Sequence, residues 1–318
     1  MISHWDDVKT RRGERGHMAG TWRDLTGRSS QSVGVQRIQV DPGMWSTPLH
    51  LEGAEEEIFF VLAGSGVSVQ SDGEDTLAYE VREGDCLVHL PLDLEHAAHT
   101  LQAGDDGIDV LAFGQRVDAG GFTWLPRAGV AWLGVTWAPV GAEDDKPWTR
   151  EAAVGPPEVA EMSPRPPTIV NVDDLEPVER DGATVGRRNR DLGRAAGSAR
   201  TGMRYADVLP SMLNAAPHCH SAEEEIFVVL GGDGHLLLWE ADGIEEHAVR
   251  AGTVVARPPG TGVAHSFRAG EGGMSLLMYG TRDPSDICFY PRSNKVFFTG
   301  LGLITRVVER LDYWDGED

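Results

Sequence analysis

The stretch from Pro217 to Gly234, PHCHSAEEEIFVVLGGDG, concentrates side chains that bind metal ions. His218 and His220 flank a cysteine, and three consecutive glutamates precede a short apolar run that ends in glycines. Imidazole nitrogens together with a carboxylate suit a divalent transition metal. The stretch therefore predicts a metal site, provided that the surrounding elements bring its ligands together.

Strand alternation gives a way to do this, because residues two apart in a β-strand face the same side. His218 and His220 then point one way, and Glu225 begins the next apolar strand. His265 closes the later stretch GTVVARPPGTGVAH, where another strand would return to the same place. We predict that His218, His220, Glu225 and His265 hold one metal. One or two positions of a six-coordinate ion would remain open for water, substrate or oxygen.

An internal repeat supports this ligand set. HLEGAEEEIFFVLAGSG begins at His50, and HCHSAEEEIFVVLGGDG begins at His218. Further anchors recur in the same order, including VREGD and VRAGT, AAHTL and VAHSF, and FGQR and YGTR. The correspondence covers roughly residues 23–135 and 190–303, so the chain is an internal duplication. Its frame selects Glu225 as the ligand and makes Glu223 and Glu224 loop or outward-facing residues.

The first copy carries a different set at the same positions. His50, Glu57 and His99 match His218, Glu225 and His265, but Glu52 replaces the second histidine. The set His50, Glu52, Glu57 and His99 could form a second, weaker metal site with a preference for harder ions. Alternatively, this copy has lost its metal and serves as a scaffold. His89 and His96 lie nearby and are expected to be loop residues.

Each copy consists of short apolar stretches rich in β-branched and aromatic residues, separated by Gly, Asp and Pro turns. This pattern is typical of all-β sandwiches or barrels. The boundaries predicted are 1–139 for an N-terminal barrel with its extension, 140–167 for an acidic, Pro-rich linker and 168–318 for a C-terminal barrel with its tail. A short helix near Trp148 is the one element expected in the linker.

At this point the motifs resemble the cupin superfamily, and the duplication resembles its bicupins. The first cupin motif is matched by His218, His220, Glu225 and Gly232, and the second by Gly252, Pro258 and His265. Two extra residues precede His265, Ala269 stands where the family often has Asn, and Met212 stands where the first motif has a leading Gly. The resemblance implies two double-stranded β-helix (jelly-roll) barrels, with the metal inside.

Composition excludes several function classes. The 318-residue chain has a formal net charge of -22, which disfavours binding to nucleic acids and anionic membranes. Three cysteines and an N-terminus without an apolar signal core indicate a reducing, cytoplasmic location. Trp124, Trp132, Trp137 and Trp148 follow the first barrel and favour interface or inter-barrel packing over substrate stacking. These apolar stretches predict a homodimer.

The resemblance implies a metal-dependent protein with a small-molecule partner but does not choose the reaction. We expect an enzyme that acts on a small oxygenated or anionic metabolite at the C-terminal barrel. Its chemistry would be oxygenase-like, on iron or manganese, with zinc or nickel as alternatives. A hydrolase, isomerase or decarboxylase is the second hypothesis, and a non-catalytic small-molecule or sugar-binding cupin is the third. No catalytic acid–base residue can be identified from the sequence.

Overall fold

The computed structural model describes residues 1–71, 75–92, 98–116, 121–134, 136–139, 147–240, 242–309 and 311–317. The predicted all-β architecture of two jelly-roll barrels is confirmed, since each half of the chain builds one large and one small antiparallel sheet. The linker residues 140–146, His96 and the turn residues 72–74 lie outside the described residues.

The first barrel is built from two sheets. The strands of its large sheet are β2 (Arg11–Arg15), β3 (Met18–Asp24), β4 (Val33–Val40), β6 (Glu57–Ser71), β7 (Thr76–Arg82), β8 (Asp85–His89), β9 (Ala98–Gln115) and β13 (Ile169–Asn171). Those of its small sheet are β5 (Leu51–Glu52), β10 (Thr123–Leu125), β11 (Val130–Trp132) and β12 (Trp137–Pro139). The small sheet covers the end of the barrel where Glu52 lies.

The second barrel repeats this plan. The strands of its large sheet are β1 (Ile2–His4), β14 (Val178–Asp181), β15 (Gly186–Arg190), β16 (Thr201–Val208), β18 (Glu225–Glu240), β19 (Gly243–Arg250), β20 (Thr253–Arg257) and β21 (Ala264–Thr281). Those of its small sheet are β17 (Cys219–His220), β22 (Ile287–Tyr290), β23 (Lys295–Phe298) and β24 (Leu303–Arg306). β6 and β18 each contain register shifts near a glycine with positive φ, Gly64 or Gly232, which allow the long strand to bend.

Helices play a minor part. α1 (Pro147–Val154) lies in the linker, as predicted around Trp148, and α2 (Leu192–Ala195) precedes β16. Single 3₁₀ turns occupy Gly27–Ser29, Val172–Asp174, Pro291–Ser293 and Thr299–Leu301. No helix in the described part of the chain has the length and apolar character needed to span a bilayer.

The two barrels exchange short strands. β1, at the start of the chain, pairs with β20 of the second barrel, and β13, just after the linker, pairs with β8 of the first. The expected domain boundaries did not include this exchange. A continuous apolar core also spans the junction, where Phe60 and Phe113 of the first barrel join Met203 and Tyr279 of the second.

Two buried glutamates, one from each barrel, accept hydrogen bonds across the junction, and we call these two sets of hydrogen bonds the locks. Glu56 is fully buried and accepts hydrogen bonds from the backbone N–H groups of Ala199 (2.9 Å) and Thr201 (3.0 Å) in the second barrel. Glu224, its repeat equivalent, is fully buried and accepts from the backbone N–H of Ser32 (2.6 Å) in the first. Glu224 lies in the loop before β18, as one predicted alternative had it, but it does not face outward: the side opposite the ligands packs on the other barrel.

Candidate metal centre

Backbone pairing brings the histidines of the second barrel together. His218 and His265 face each other in an antiparallel bridge, with the His265 N–H donating to the His218 carbonyl at 2.9 Å. Their ring centroids lie 4.8 Å apart, and those of His218 and His220 lie 5.1 Å apart. The alternation along residues 218–220 thus aims both rings at the same place.

Glu225 completes the group from the first residue of β18. Its Oε2 lies 2.9 Å from His265 Nε2 and 3.5 Å from His220 Nε2. One ligand atom from each of His218, Glu225 and His265 falls within 4.8 Å of the others. All four residues of the predicted set therefore converge in the structure.

The converging atoms are left without hydrogen-bond partners. His220 Nε2, His265 Nε2 and Glu225 Oε2 are buried, and none of them makes a hydrogen bond to the described residues; the 2.9 Å contact between Glu225 Oε2 and His265 Nε2 lacks hydrogen-bond geometry. Buried polar atoms are otherwise nearly always hydrogen-bonded. Two imidazole nitrogens and a carboxylate oxygen aimed at one point, beside a third imidazole, fit a divalent transition metal.

Hydrogen bonds on the outer side of the rings fix their orientation. His218 Nδ1 lies 2.7 Å from the carbonyl oxygen of Ala216, and His220 Nδ1 lies 2.8 Å from Asp286 Oδ2. A proton on each Nδ1 leaves the Nε2 lone pair for the centre, the arrangement that metal-binding histidines usually have. Asp286 is fully buried and also accepts from the backbone N–H groups of Ser221 and Ala222.

The electrostatics favour a neutral His218 and an ionised Glu225. Burial and the neighbouring His265 lower the pKa of His218 to about 4, so this imidazole is neutral at neutral pH. Burial alone would raise the pKa of Glu225, but the adjacent His265, with the other histidines, holds it well below its usual range. Burial would lower the pKa of His220, but the charges of Glu225 and Asp286 outweigh burial and raise this pKa. A metal would therefore displace any proton on His220 Nε2 when it binds.

Cys288 lies close to the centre. Its Sγ and ring nitrogens of His218 and His220 lie within 4.8 Å of one another. Burial raises the pKa of the Cys288 thiol to about 12, so without a metal this side chain is a neutral thiol that packs beside the ligands.

Two further polar residues line the small space beside the ligands, which measures about 10 Å³ and has room for about one water. Arg257 stands opposite Glu225 in the β18–β20 register; its Nη2 donates to the Val263 carbonyl at 2.8 Å, and its buried Nε has no partner in the described structure. Glu223 is half-buried, with a carboxylate oxygen 3.7 Å from His220 Nδ1. Arg257 and Asp286 were not predicted from the sequence, whereas Glu223 lies in the loop before β18, as predicted.

The first barrel brings together only part of its predicted set. Glu57 Oε2 lies 3.1 Å from His99 Nε2 and 3.7 Å from His50 Nε2. Glu52 is not part of this group. Both of its carboxylate oxygens accept a hydrogen bond from the Thr123 hydroxyl at 2.9 Å. His89 is not a loop residue as expected: it ends β8, is buried, and stacks on His99 with ring centroids 3.7 Å apart.

A cavity of about 310 Å³ opens above Glu52 and His50, and we call it the tryptophan cavity. Trp132, Trp137 and Trp148 form part of its wall. Packing between the barrels or at an interface was the expectation for these side chains, but the structure places all three on this cavity. Trp124, the fourth member of the group, is 38% exposed on β10.

No family model matches the sequence, and no curated protein matches it. Solved structures do match over nearly the whole chain. One is an oxalate decarboxylase studied for its substrate binding mode and a reaction specificity switch, with a TM-score of 0.62 at 19% identity, over 90% of this chain and 78% of that one. A point mutant of the Bacillus subtilis oxalate decarboxylase gives 0.63 at 17% identity, over 92% and 80%.

The Lactobacillus farciminis oxalate decarboxylase in complex with formate gives a TM-score of 0.61 at 17% identity, over 90% of this chain and 88% of that one. Together these matches establish the fold: the chain has the two-barrel, jelly-roll fold of the oxalate decarboxylases that it matches. The likeness in sequence is too low to carry an activity across.

Proposed function

We propose that the chain is a metal-dependent enzyme whose active centre lies in the second barrel and whose substrate is a small carboxylate. The observation that carries this proposal is the convergence of His220 Nε2, His265 Nε2 and Glu225 Oε2, all buried and without partners among the described residues. With His218, they form a donor set for iron or manganese, with zinc or nickel as alternatives. When bound, the metal would supply a Lewis acid or a redox centre.

Arg257 supports a carboxylate substrate. Its guanidinium lines the space beside the ligands, and its Nε has no partner there. A guanidinium binds a carboxylate through charge-assisted hydrogen bonds, often in pairs. The matched structures were solved as oxalate decarboxylases, one of them with formate, and both molecules are small carboxylates.

Glu223 is our candidate for moving a proton. Its side chain lines the same small space and lies close to His220. Its Oε1 accepts a hydrogen bond from the backbone N–H of Asp283 at 3.0 Å. A carboxyl group in such a position can give or take a proton within hydrogen-bond reach of a substrate. Arg257 would orient the substrate, and Glu223 would donate a proton to it or accept one from it. Asp286 keeps His220 in the tautomer that can bind a metal.

The reaction type is the finer part of the proposal. Oxygenase-like chemistry is the hypothesis drawn from the resemblance to cupins, and cleavage of a carboxylate is supported by the matched oxalate decarboxylases. The non-catalytic binding protein is the remaining alternative. The three alternatives differ in the gases that they consume or release. An oxygenase takes up oxygen, an enzyme that cleaves a carboxylate releases carbon dioxide without net oxygen uptake, and a binding protein does neither.

The test is reconstitution of the chelator-treated chain with Fe(II) or Mn(II) under anaerobic conditions. A panel of short mono- and dicarboxylates is then added, with oxygen uptake and carbon dioxide release recorded together. We expect turnover that is lost in Glu225→Gln and weakened, chiefly through a higher KM, in Arg257→Gln. Native protein that takes up no metal would refute the proposal. Metal-loaded protein that turns over none of the carboxylates would instead favour the non-catalytic binding protein.

A further inference from the structure

The two sheets of the second barrel each carry a pair of cations. On the large sheet, Arg180 of β14 and Arg187 of β15 lie directly opposite each other. On the small sheet, Lys295 of β23 and Arg306 of β24 are paired in the same way. Directly opposite residues of an antiparallel pair share a face, so each sheet presents two cations side by side.

Tyr290 connects the two pairs. Its ring centroid lies 4.8 Å from the Lys295 ammonium nitrogen, and its hydroxyl acts electrostatically on the Arg187 guanidinium. Arg187 lies opposite Val208, which belongs to the apolar core of this barrel, so the arginine pair is on the face that meets the small sheet. We call the following four residues the cationic cleft: Arg180, Arg187, Lys295 and Arg306.

We propose that the cationic cleft is a binding site for a multivalent oxyanion, a molecule that carries phosphate groups or several carboxylates. Guanidinium and ammonium groups bind such anions through charge-assisted hydrogen bonds, and a guanidinium can donate two at once. The four cations are separate from the predicted metal ligands and from Arg257. This inference therefore does not depend on the function proposed for the metal centre.

The charges of the cleft are not compensated by the protein. Like charges directly opposite each other in a sheet are destabilising, and none of the four cations forms an ion pair with a carboxylate of the described residues. By contrast, Arg188 on the other face of β15 has its Nε 3.0 Å from Glu179 Oε1. Burial, then the charges of Arg204 and Arg180, lower the pKa of Arg187. A bound anion would relieve this repulsion.

The first barrel shows that the fold does not require these cations. The strand registers of the two barrels correspond position by position. Gly13 and Gly20 stand at the positions of the two arginines of the large sheet, and Val130 and Pro139 stand at those of Lys295 and its partner. The cluster is thus particular to the second barrel, in a chain whose net charge is -22.

Calorimetric titration of the chelator-treated chain tests the proposal. The probes are inorganic pyrophosphate, citrate and acetate at pH 7.5, with about 0.15 M sodium chloride to screen the net charge of the chain. Pyrophosphate or citrate should bind at least about tenfold more tightly than acetate, which has a single charge. Tighter binding of pyrophosphate identifies a phosphate ligand, and tighter binding of citrate identifies a polycarboxylate. If neither binds more tightly than acetate, the proposal is wrong.

Variants locate the site. Arg180→Gln combined with Lys295→Gln should weaken binding of the preferred anion at least about tenfold. Arg180 is exposed on an edge strand and its removal relieves repulsion, so the melting temperature without anion should not fall. Arg188→Gln, on the other face of the sheet, is the control and should bind the anion normally. Full affinity in the double variant, an equal loss in Arg188→Gln, or a loss confined to Arg257→Gln would each overturn the proposal.

Discussion

The two barrels have equivalent strands but differ at one ligand position, and the difference extends to its partners. His220 lies opposite Cys288 across the β17–β22 pair, and Glu52 lies opposite Thr123 across β5–β10. In the second barrel a buried acceptor, Asp286, holds the imidazole. In the first, a donor, the Thr123 hydroxyl, holds the carboxylate, and Gly121 stands two residues before it, where Asp286 precedes Cys288.

Ligand and support have therefore changed together, since an imidazole Nδ1–H needs an acceptor whereas a carboxylate needs a donor. Space has changed as well. The complete histidine set adjoins a space of about 10 Å³, and the incomplete set adjoins the tryptophan cavity of about 310 Å³. The second barrel therefore has the arrangement suited to coordination, and the first adjoins a space of the size of a small-molecule site.

The largest effect should follow removal of the ligand that distinguishes the barrels. His220→Ala takes away one of four ligands and leaves Asp286 buried without its imidazole partner. We expect the variant to lose most of its metal, measured by elemental analysis per chain after dialysis. Glu52→Ala, at the matching position of the first barrel, is the control and should retain the second-barrel metal. Full metal content in His220→Ala would show that the metal is not bound by this set of residues.

A smaller loss should follow a change in the support alone. Asp286→Asn preserves shape but removes the charge that orients His220, and changes of this kind typically cost 10–100-fold in metal affinity. The measurement is a competition titration against a chelator of known affinity. Asp283→Asn is the control: this carboxylate, three residues earlier, accepts from the Ser285 N–H and hydroxyl and from no ligand, so its replacement should leave the affinity unchanged. Equal affinities in the two variants would mean that Asp286 only shapes the loop.

The locks between the barrels are expected to act on stability rather than on metal. Glu56→Gln removes a buried carboxylate that accepts from Ser198, Ala199 and Thr201, and it should cost about 1–3 kcal/mol in the free energy of unfolding at pH 7. Urea unfolding measures this loss. Glu80→Gln, on an exposed position of β7, should change stability by less than about 0.5 kcal/mol.

The same lock predicts a pH dependence. Burial would raise the pKa of Glu56, but hydrogen bonds led by that from Thr201 bring it below the ordinary value of 4.5. A carboxyl group with a lowered pKa in the folded state stabilises the protein above 4.5, and this contribution is lost as the pH falls through the folded pKa. Unfolding at pH 3–7 should therefore show a shallower acid loss in Glu56→Gln than in the native chain. Parallel curves would contradict the lock.

Sequence reasoning succeeded where the geometry is local or repeated. Alternation of period two placed His218 and His220 on one side, and the repeat frame selected Glu225 from three adjacent glutamates. It missed the burial of Glu224 because it assumed that the face opposite the ligands meets solvent, whereas this face packs on the other barrel. Asp286 and Arg257 could not be found because each reaches the centre from a distant segment: Arg257 through the β18–β20 pairing, and Asp286 from the residue just before β22.

The homodimer stays a prediction, and fewer exposed apolar residues support it than the sequence suggested. Three of the four tryptophans that suggested an interface line the tryptophan cavity instead. Exposed apolar side chains do remain in the last part of the chain, including Leu301, Leu303 and Ile304. Light scattering at micromolar concentration should give twice the chain mass of 34.5 kDa. A single-chain mass would rule out the dimer under those conditions.

The smallest effect on the second barrel should come from Glu52→Gln, and this variant tests the comparison most closely. Burial, then the charge of Glu57, raises the pKa of Glu52 to about 8, so at pH 7 this carboxyl is largely protonated and glutamine is its neutral equivalent. Without a cation, two adjacent buried carboxylates would repel, and one of them holds a proton instead. Stability at pH 7 and metal content at the second barrel should therefore match the native chain.

Glu225→Gln is the matched change in the other barrel, and there the outcome should be opposite. Glu225 is ionised among three imidazoles, and its Oε2 has no hydrogen-bond partner among the described residues, so the charge itself is what a metal would meet. Activity and metal should be lost together in this variant and preserved in Glu52→Gln. If activity instead disappeared with Glu52→Gln and survived Glu225→Gln with metal intact, the first barrel would be the active one, and the roles assigned here to the two barrels would be reversed.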